Sequence, residues 1–357
     1  MKMIFRKAAL SITGLFFIFA SGSAAHEHLS TTLDVQNGLS DNCVNDVLFD
    51  SDDFLWIGTN EGLDFYDGAN IVHFDLVNPE NGRPSVVFSL CEDPSGAVWA
   101  GTSNGLYRIG KDVGNARRYD ALQLKGYSVR QICCGDNGFL WVARGSDDLL
   151  RIDTETDEIV SIPLSCETVC IGCDNSVYVY SDGSLMVSSD GVQQFRTISE
   201  ELNHRLASED ISRIICAFGK LFLSTSNGAP FALDLKTFEI RRLDFLSKMR
   251  DALEHSSGEL WIAARDGIHV LDTSLVEQRV FRPYHDNSFR CLAEDSRGGV
   301  WGGTLFEGIA RVCPNHLDYH HYSEDFAGGS FKARDFVQDS DGRIWVGSDT
   351  RGLLCLD

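Results

Sequence analysis

Apolar residues along the chain alternate with polar or small ones in short runs, and the same run recurs. "FLWIGTNEGLDFYDG" at 54–68, "AVWAGTSNGLYRIG" at 97–110 and "RIWVGSDTRGLLCLD" at 343–357 each read as strand, turn, strand. The period is two. It predicts short antiparallel strands and no helix beyond a turn or two after residue 26. Trp56, Trp99, Trp141, Trp261, Trp301 and Trp345 hold one register of this pattern. The gap from Trp141 to Trp261 is about three periods of a ~40–50 residue repeat. "SVYVYSDGSL" around Tyr178 and "KLFLSTSNG" around Phe222 fill it with degenerate copies, which makes eight copies in all.

Each copy obeys one grammar. An aspartate stands six residues before the Trp in four of them (Asp50, Asp93, Asp295, Asp339), and a glycine three before it in five (Gly96, Gly138, Gly258, Gly298, Gly342). That is a tight turn, with Gly supplying φ > 0 and Asp bonding local backbone. Gly58, Gly101, Gly303 and Gly347 follow the Trp by two. Gly-Leu or Gly-Ile then opens a third strand, and segments such as "NIVHFDLV", "FEIRRLDF" or "LDYHHY" read as a fourth. Strands A, B, C and D thus form a meander with the Trp on B. So small a sheet cannot cover both its faces, and radial packing of such sheets solves the problem. The fold class is all-β, a β-propeller of four-stranded blades, with the Trp as the apolar plug between neighbours.

The final copy ends at Asp357 without a D strand, whereas "LSTTLDVQ" at 29–36 is a strand without a copy. The expectation is seven blades plus a leftover unit. The alternative is eight blades, closed by pairing 29–36 with "GLLCLD". The domains follow as a signal peptide at 1–25, a propeller at 26–330 and an eighth repeat unit at 331–357, either a last blade or the start of a second propeller.

The start of the chain changes the picture. Lys2, Arg6 and Lys7 precede an apolar run from Ala8 to Ala20, and "SGSAA" offers small residues for cleavage after Ala25. This pattern is that of a secretory signal, with an uncleaved anchor as the other reading. The expectation is an exported, periplasmic chain with no membrane insertion after cleavage. The formal net charge is −21 at pH 7. Such a surface repels nucleic acid and anionic membranes.

Eleven cysteines are an odd and irregular set, a poor disulfide framework. "CETVCIGC" has the CxxxCxxC spacing of an iron–sulfur site. However, a position eight before the Trp is Leu48, Cys91, Cys133, Cys170, Leu253, Ala293 and Val337, and Cys216 if copy five is two residues shorter. Cysteine alternates there with Leu, Ala and Val, as a small buried residue does. A disulfide among Cys166, Cys170, Cys173 and the pair Cys133-Cys134 stays open. The ten histidines form no zinc pattern, and no nucleophile motif occurs. The expectation is no cofactor, no metal and no catalytic residue.

One position is less expected. Eleven residues before the Trp stand Asn45, Phe88, Arg130, Glu167, Arg213 (with the same two-residue allowance), Arg250, Arg290 and Arg334. The start of the innermost strand lies near one mouth of a propeller channel. Each Arg either pairs with an acidic or carbonyl partner of the next blade or contributes to a cationic collar for an anionic group. The B-to-C turns open on the same face and vary in chemistry. The candidate ligand-binding residues there are Asn60, Glu61, Arg130, Arg144, Arg250, Arg265, Asp266, Arg290, Phe306 and Glu307.

"NGLSDNCVNDVLFDSDDFLWIGTNEGLDFYDG" at 37–68 resembles the two-component regulator propeller repeat. It is especially similar to the N-terminal sensor region of hybrid two-component systems from glycan-degrading gut bacteria. That resemblance implies a periplasmic, non-enzymatic sensor module. Its partners would be an oligosaccharide or other small ligand, and a sensor protein or a second copy. It also implies seven-bladed propellers in pairs, followed by a sandwich domain, a membrane helix, a kinase, a receiver and a DNA-binding domain. Those parts are absent from this sequence, so the chain is expected to be a truncated or stand-alone sensor module. A carbohydrate-active enzyme, lyase or hydrolase, is the alternative.

Overall fold

The computed structural model describes residues 29–312, apart from 79–80, 111–115, 120–123, 125, 167, 190–193, 227 and 285, together with parts of 333–356. The signal segment 1–25, "LDYHHY" at 317–322, Glu167 and the side chain of Arg334 lie outside the described residues. Residues up to Pro314 form one compact unit, and those from Asn315 a second.

The first unit holds seven four-stranded antiparallel sheets. Blade one is Val44–Phe49, Leu55–Thr59, Gly62–Tyr66 and Ile71–Phe74, the A-to-D meander that the repeat dictates. Strand A of each blade packs on strand A of the next, and blade seven packs on blade one. The ring is therefore a seven-bladed propeller. Its closure corrects one reading of the sequence. The D place of blade seven is filled by Leu29–Leu33, paired with Ile309–Val312, so the N-terminal strand completes the seventh copy and not the eighth. By itself, the second unit contains a three-stranded sheet, Ala333–Gln338, Ile344–Ser348 and Gly352–Leu356.

Each junction between blades has its own apolar cluster, with the Trp position pointing to the following blade. Trp99 packs with Ile132, Leu140 and Val142 of blade three, and Trp261 with Leu292 and Val300 of blade seven. Tyr178 and Phe222 take the same role in blades four and five. Asp50, Asp93, Asp295 and Asp339 do more than hold the turn: each accepts the indole N–H of its Trp, at 2.7–2.9 Å. Where His255 replaces the aspartate, its ring stacks on Trp261 at 5.3 Å and the indole nitrogen has no partner.

The position three before the Trp has positive φ in all seven blades, even where glycine is missing: Asp53 and Asn175 stand at φ 64 and 58. Asp and Asn are the residues that tolerate this region best after Gly. The glycine two after the Trp serves close approach. A Cβ at Gly58 would lie 2.7 Å from Val87 of the next inner strand. One short helix, α1 (Glu200–Leu206), capped by Ser199, links blades four and five.

Candidate functional site at the channel mouth

Strands A of blades one, two, five, six and seven begin with a β-bulge. The residue after the bulge, or its equivalent in blades three and four, lies on the innermost strand, round the axis. It is Asp46, Ser89, Gln131, Thr168, Arg213, Asp251 and Cys291 in order round the ring. Five of these accept a backbone N–H from the next blade. Leu90 N donates to Asp46 Oδ2 (2.8 Å), Ile132 N to Ser89 Oγ (3.3 Å) and Val169 N to Gln131 Oε1 (3.3 Å). Ile214 N donates to Thr168 Oγ1 (2.9 Å), and Leu292 N to Asp251 Oδ2 (2.9 Å).

Arg213 and Cys291 offer no comparable acceptor. In the blade that follows each of them, an aspartate turns its second oxygen to its own strand: Ala252 N donates to Asp251 Oδ1 and Val47 N to Asp46 Oδ1. The two axial acids thus stand where the ring of acceptors is broken. Burial pushes Asp46 up to about 7, against the pull of Arg213, and nearby Asp251 adds to the rise. Burial raises Asp251 as well, again opposed by Arg213.

Arg213 itself corrects the sequence reading. Ile215 lies opposite Phe222, and Ser212 is the bulge residue. Copy five is one residue shorter than its neighbours, not two. Cys216 therefore does not hold the position opposite the plug, and Arg213 sits one step along the strand from the collar. The signal was the A-to-B turn at Phe218-Gly219, both at positive φ, but a turn of that kind does not reveal its own length.

The arginines gather at this level and at the strand starts next to it. Arg130, Arg213 and Arg250 line one cavity of about 210 Å³ with Gln131, Ser212, Ser224 and Met249. Among the described residues, no carboxylate lies within 4.0 Å of Arg130, Arg213 or Arg250. The buried Nε of Arg213 has no hydrogen-bond partner. Partial desolvation and the charges of Arg290, Arg213 and Arg265 hold Arg250 below its ordinary value. Desolvation and the charges of Arg250 and Arg265 lower Lys248 beside it, with Asp210 opposing. Arg130 lies over the Phe88 ring at 5.4 Å, and Arg290 Nη1 approaches Cys43 Sγ at 3.8 Å. Burial raises the Cys43 thiol, with Arg290 opposing. Its neighbour Asn45 donates to Asn60 Oδ1 (3.1 Å), which puts the start of strand A and the B-to-C turn at one end of the blade.

The remaining candidates do not converge on this cavity. Arg144 donates from Nε and Nη2 to the carbonyl of Asp148 and covers Tyr127. Asp266 is a brace. Burial would raise it, but hydrogen bonds from Ser247, His269 and Arg282 hold it low. Glu61 and Phe306 are exposed, and Glu307 donates its N–H to Thr304 Oγ1. The thiols of Cys91, Cys133, Cys170 and Cys291 are raised by burial, and no disulfide is formed by the described cysteines. Among the described residues no group of His, Cys, Asp and Glu is arranged to hold a metal, and no helix is long and apolar enough to cross a membrane.

No curated protein matches the chain by sequence. Among solved structures, it is similar to the extracellular domain of BT3049 from B. thetaiotaomicron, described as a hybrid two-component system. The identity is 20% and the TM-score 0.63, over 92% of this chain and 48% of that one. The extracellular domain of BT4673 from the same organism, also described as a hybrid two-component system, aligns at 18% identity and a TM-score of 0.66, over 90% and 44%. Virginiamycin B lyase from Staphylococcus aureus aligns at 15% and 0.64, over 80% and 99%. At these identities the likeness is one of fold. The chain spans about half the length of the two extracellular domains. Residues 38–61, 81–104 and 328–350 match the two component regulator propeller family. The chain is thus a seven-bladed propeller that carries the two-component regulator propeller repeat.

Proposed function

We propose that this chain is a ligand-sensing module of a two-component regulator, exported to the periplasm, that binds glycan-derived oligosaccharides without transforming them. The supporting observation is the set of arginines at the channel mouth, Arg130, Arg213 and Arg250, with no carboxylate within 4.0 Å among the described residues, on the face where the B-to-C turns stand. Those turns are pinned by repeat glycines while their other residues vary, which is how a rigid scaffold presents a specific surface. The family repeat and the fold of the extracellular neighbours agree with a sensing role. A sensor protein or a second copy of the chain is the partner through which binding would be read out.

The test is titration calorimetry of the purified chain against neutral and acidic oligosaccharides, with chromatography of each sugar after long incubation. Saturable binding with the sugar recovered intact is the expected result. Shortened or unsaturated products would instead establish a lyase or hydrolase. Failure of every sugar to bind would overturn the glycan reading.

A further inference from the structure

The arginine-lined cavity allows a sharper statement, which rests on the sensing reading just given. We propose that it is a binding site for a single oxyanion group, a carboxylate or a sulfate carried on the sugar. Arg213 would bond the anion from below and Arg250 and Arg130 from the rim.

Size is the first argument. About 210 Å³ is smaller than the ~300–1,000 Å³ of pockets that enclose a whole small molecule. It accommodates one substituent and leaves the rest of the ligand on the turn surface.

The chemistry of the walls is the second. Ser212 Oγ donates to Ser224 O, and Ser224 Oγ donates to Met249 O, so both hydroxyl protons are engaged with carbonyls. Gln131 Oε1 is taken by Val169 N–H, which leaves its NH₂ group. What remains to meet a ligand are donors: guanidinium N–H groups and one amide. Arg213 Nε is buried without a partner, which costs free energy until an acceptor arrives.

Electrostatics point the same way. Arg250 is held low first by desolvation and then by the charges of Arg290, Arg213 and Arg265. Like charges gathered in a partly desolvated mouth oppose folding. In a chain of net charge −21, acidic side chains to neutralise them are abundant, yet none lies within 4.0 Å of the three cavity arginines among the described residues. The two acids coupled to Arg213, Asp46 and Asp251, turn their oxygens to backbone N–H groups. An anion with two or more oxygens relieves the whole cluster, and guanidinium geometry fits it in bidentate fashion.

The experiment measures binding of inorganic sulfate, glucuronate and glucose at fixed ionic strength to the parent chain, Arg250→Gln and Arg213→Gln. The expected result is one saturable site on the parent for sulfate or glucuronate and none for glucose. Whichever of the two binds more tightly identifies the group. Each substitution should weaken binding at least about tenfold, the effect of losing one charge-assisted hydrogen bond. Arg213→Gln removes the cation that opposes the rise of two buried acids. If that variant does not fold, Arg250→Gln at the rim decides alone. Equal binding of the anion by parent and Arg250→Gln would falsify the site, as would equal binding of glucose. Acidic and neutral oligosaccharides binding parent and variants alike would leave the sensing reading standing and remove this one. Sulfate lost in the variants, with no sugar binding at all, would do the reverse.

Discussion

On the face of the A-to-B turns, Glu92 accepts from Ser51 N and Oγ of the preceding blade, Glu254 from Phe218 N and Glu294 from Ser256 N. At the closing junction Phe49 stands in the glutamate's place. It packs edge-on against Trp301, and Asp53 supplies the carboxylate, accepting from Ser296 N and Oγ. At the other end of the same inner strands, Arg130, Arg213 and Arg250 line a cavity, and among the described residues no carboxylate lies within ion-pair distance of them. One face uses charge to tie blades together, and the other holds it in reserve. Charge that contributes to folding and charge left for a ligand are thus separated by the length of one strand.

Substitutions can break this contrast, and the plugs are the reference for a purely structural loss. Trp99→Ala empties a fully buried junction and should cost about 3–5 kcal/mol in urea denaturation. A loss under 1 kcal/mol would show that the junctions do not carry the fold. Asp46 comes next. In the unfolded chain it releases its proton near ~3.9; in the fold it keeps it up to about 7. Between these values the folded state binds more protons, so stability falls as pH rises. Stability of the parent relative to Asp46→Asn should therefore be greatest below about pH 4 and decline toward pH 7, by a few kcal/mol at most. A flat difference would mean that the axial acid is ionised throughout.

Glu92→Ala removes two inter-blade acceptors at a solvent-facing turn and should cost about 1 kcal/mol. The smallest effect has the opposite sign. Arg250→Gln relieves repulsion at the mouth and should stabilise the chain by up to about 0.5 kcal/mol, read as a small rise in Tm. A fall in Tm would mean that Arg250 holds a partner in solution and belongs with the structural charges.

Much of this was legible in the sequence because a repeat makes each copy a control for the others. The Trp register, the Asp–Trp spacing and the positive-φ turn place strands A, B and C of blades one, two, three, six and seven. Blade five was not legible to the residue. Phe222 replaces the Trp, and one residue is missing from the turn before it, so alternation alone could not separate Arg213 from Ser212. The D strand of blade seven escaped for another reason. Leu29–Leu33 has no copy of the repeat around it, and strand pairing across the chain leaves no local mark. The charge pattern at the mouth was visible only as a list of arginines. That they share a cavity, and that Asp46 and Asp251 lie beside Arg213, depends on the order of blades around the axis.

The pairing of Leu29 with Val312 also has a kinetic meaning. A ribosome delivers the first of these residues long before the last. Blades one to six can each form from contiguous chain, but the seventh cannot. Until its final strand arrives, the first strand has an exposed edge and the ring has two open ends. Long-range pairings of this kind pay their loop entropy late and fold slowly. The ring should therefore assemble as an open arc that closes in a final step, and a chain without Leu29–Leu33 should stop at that arc. Such an arc would expose the edge of Ile309–Val312 to any other strand that can pair with it.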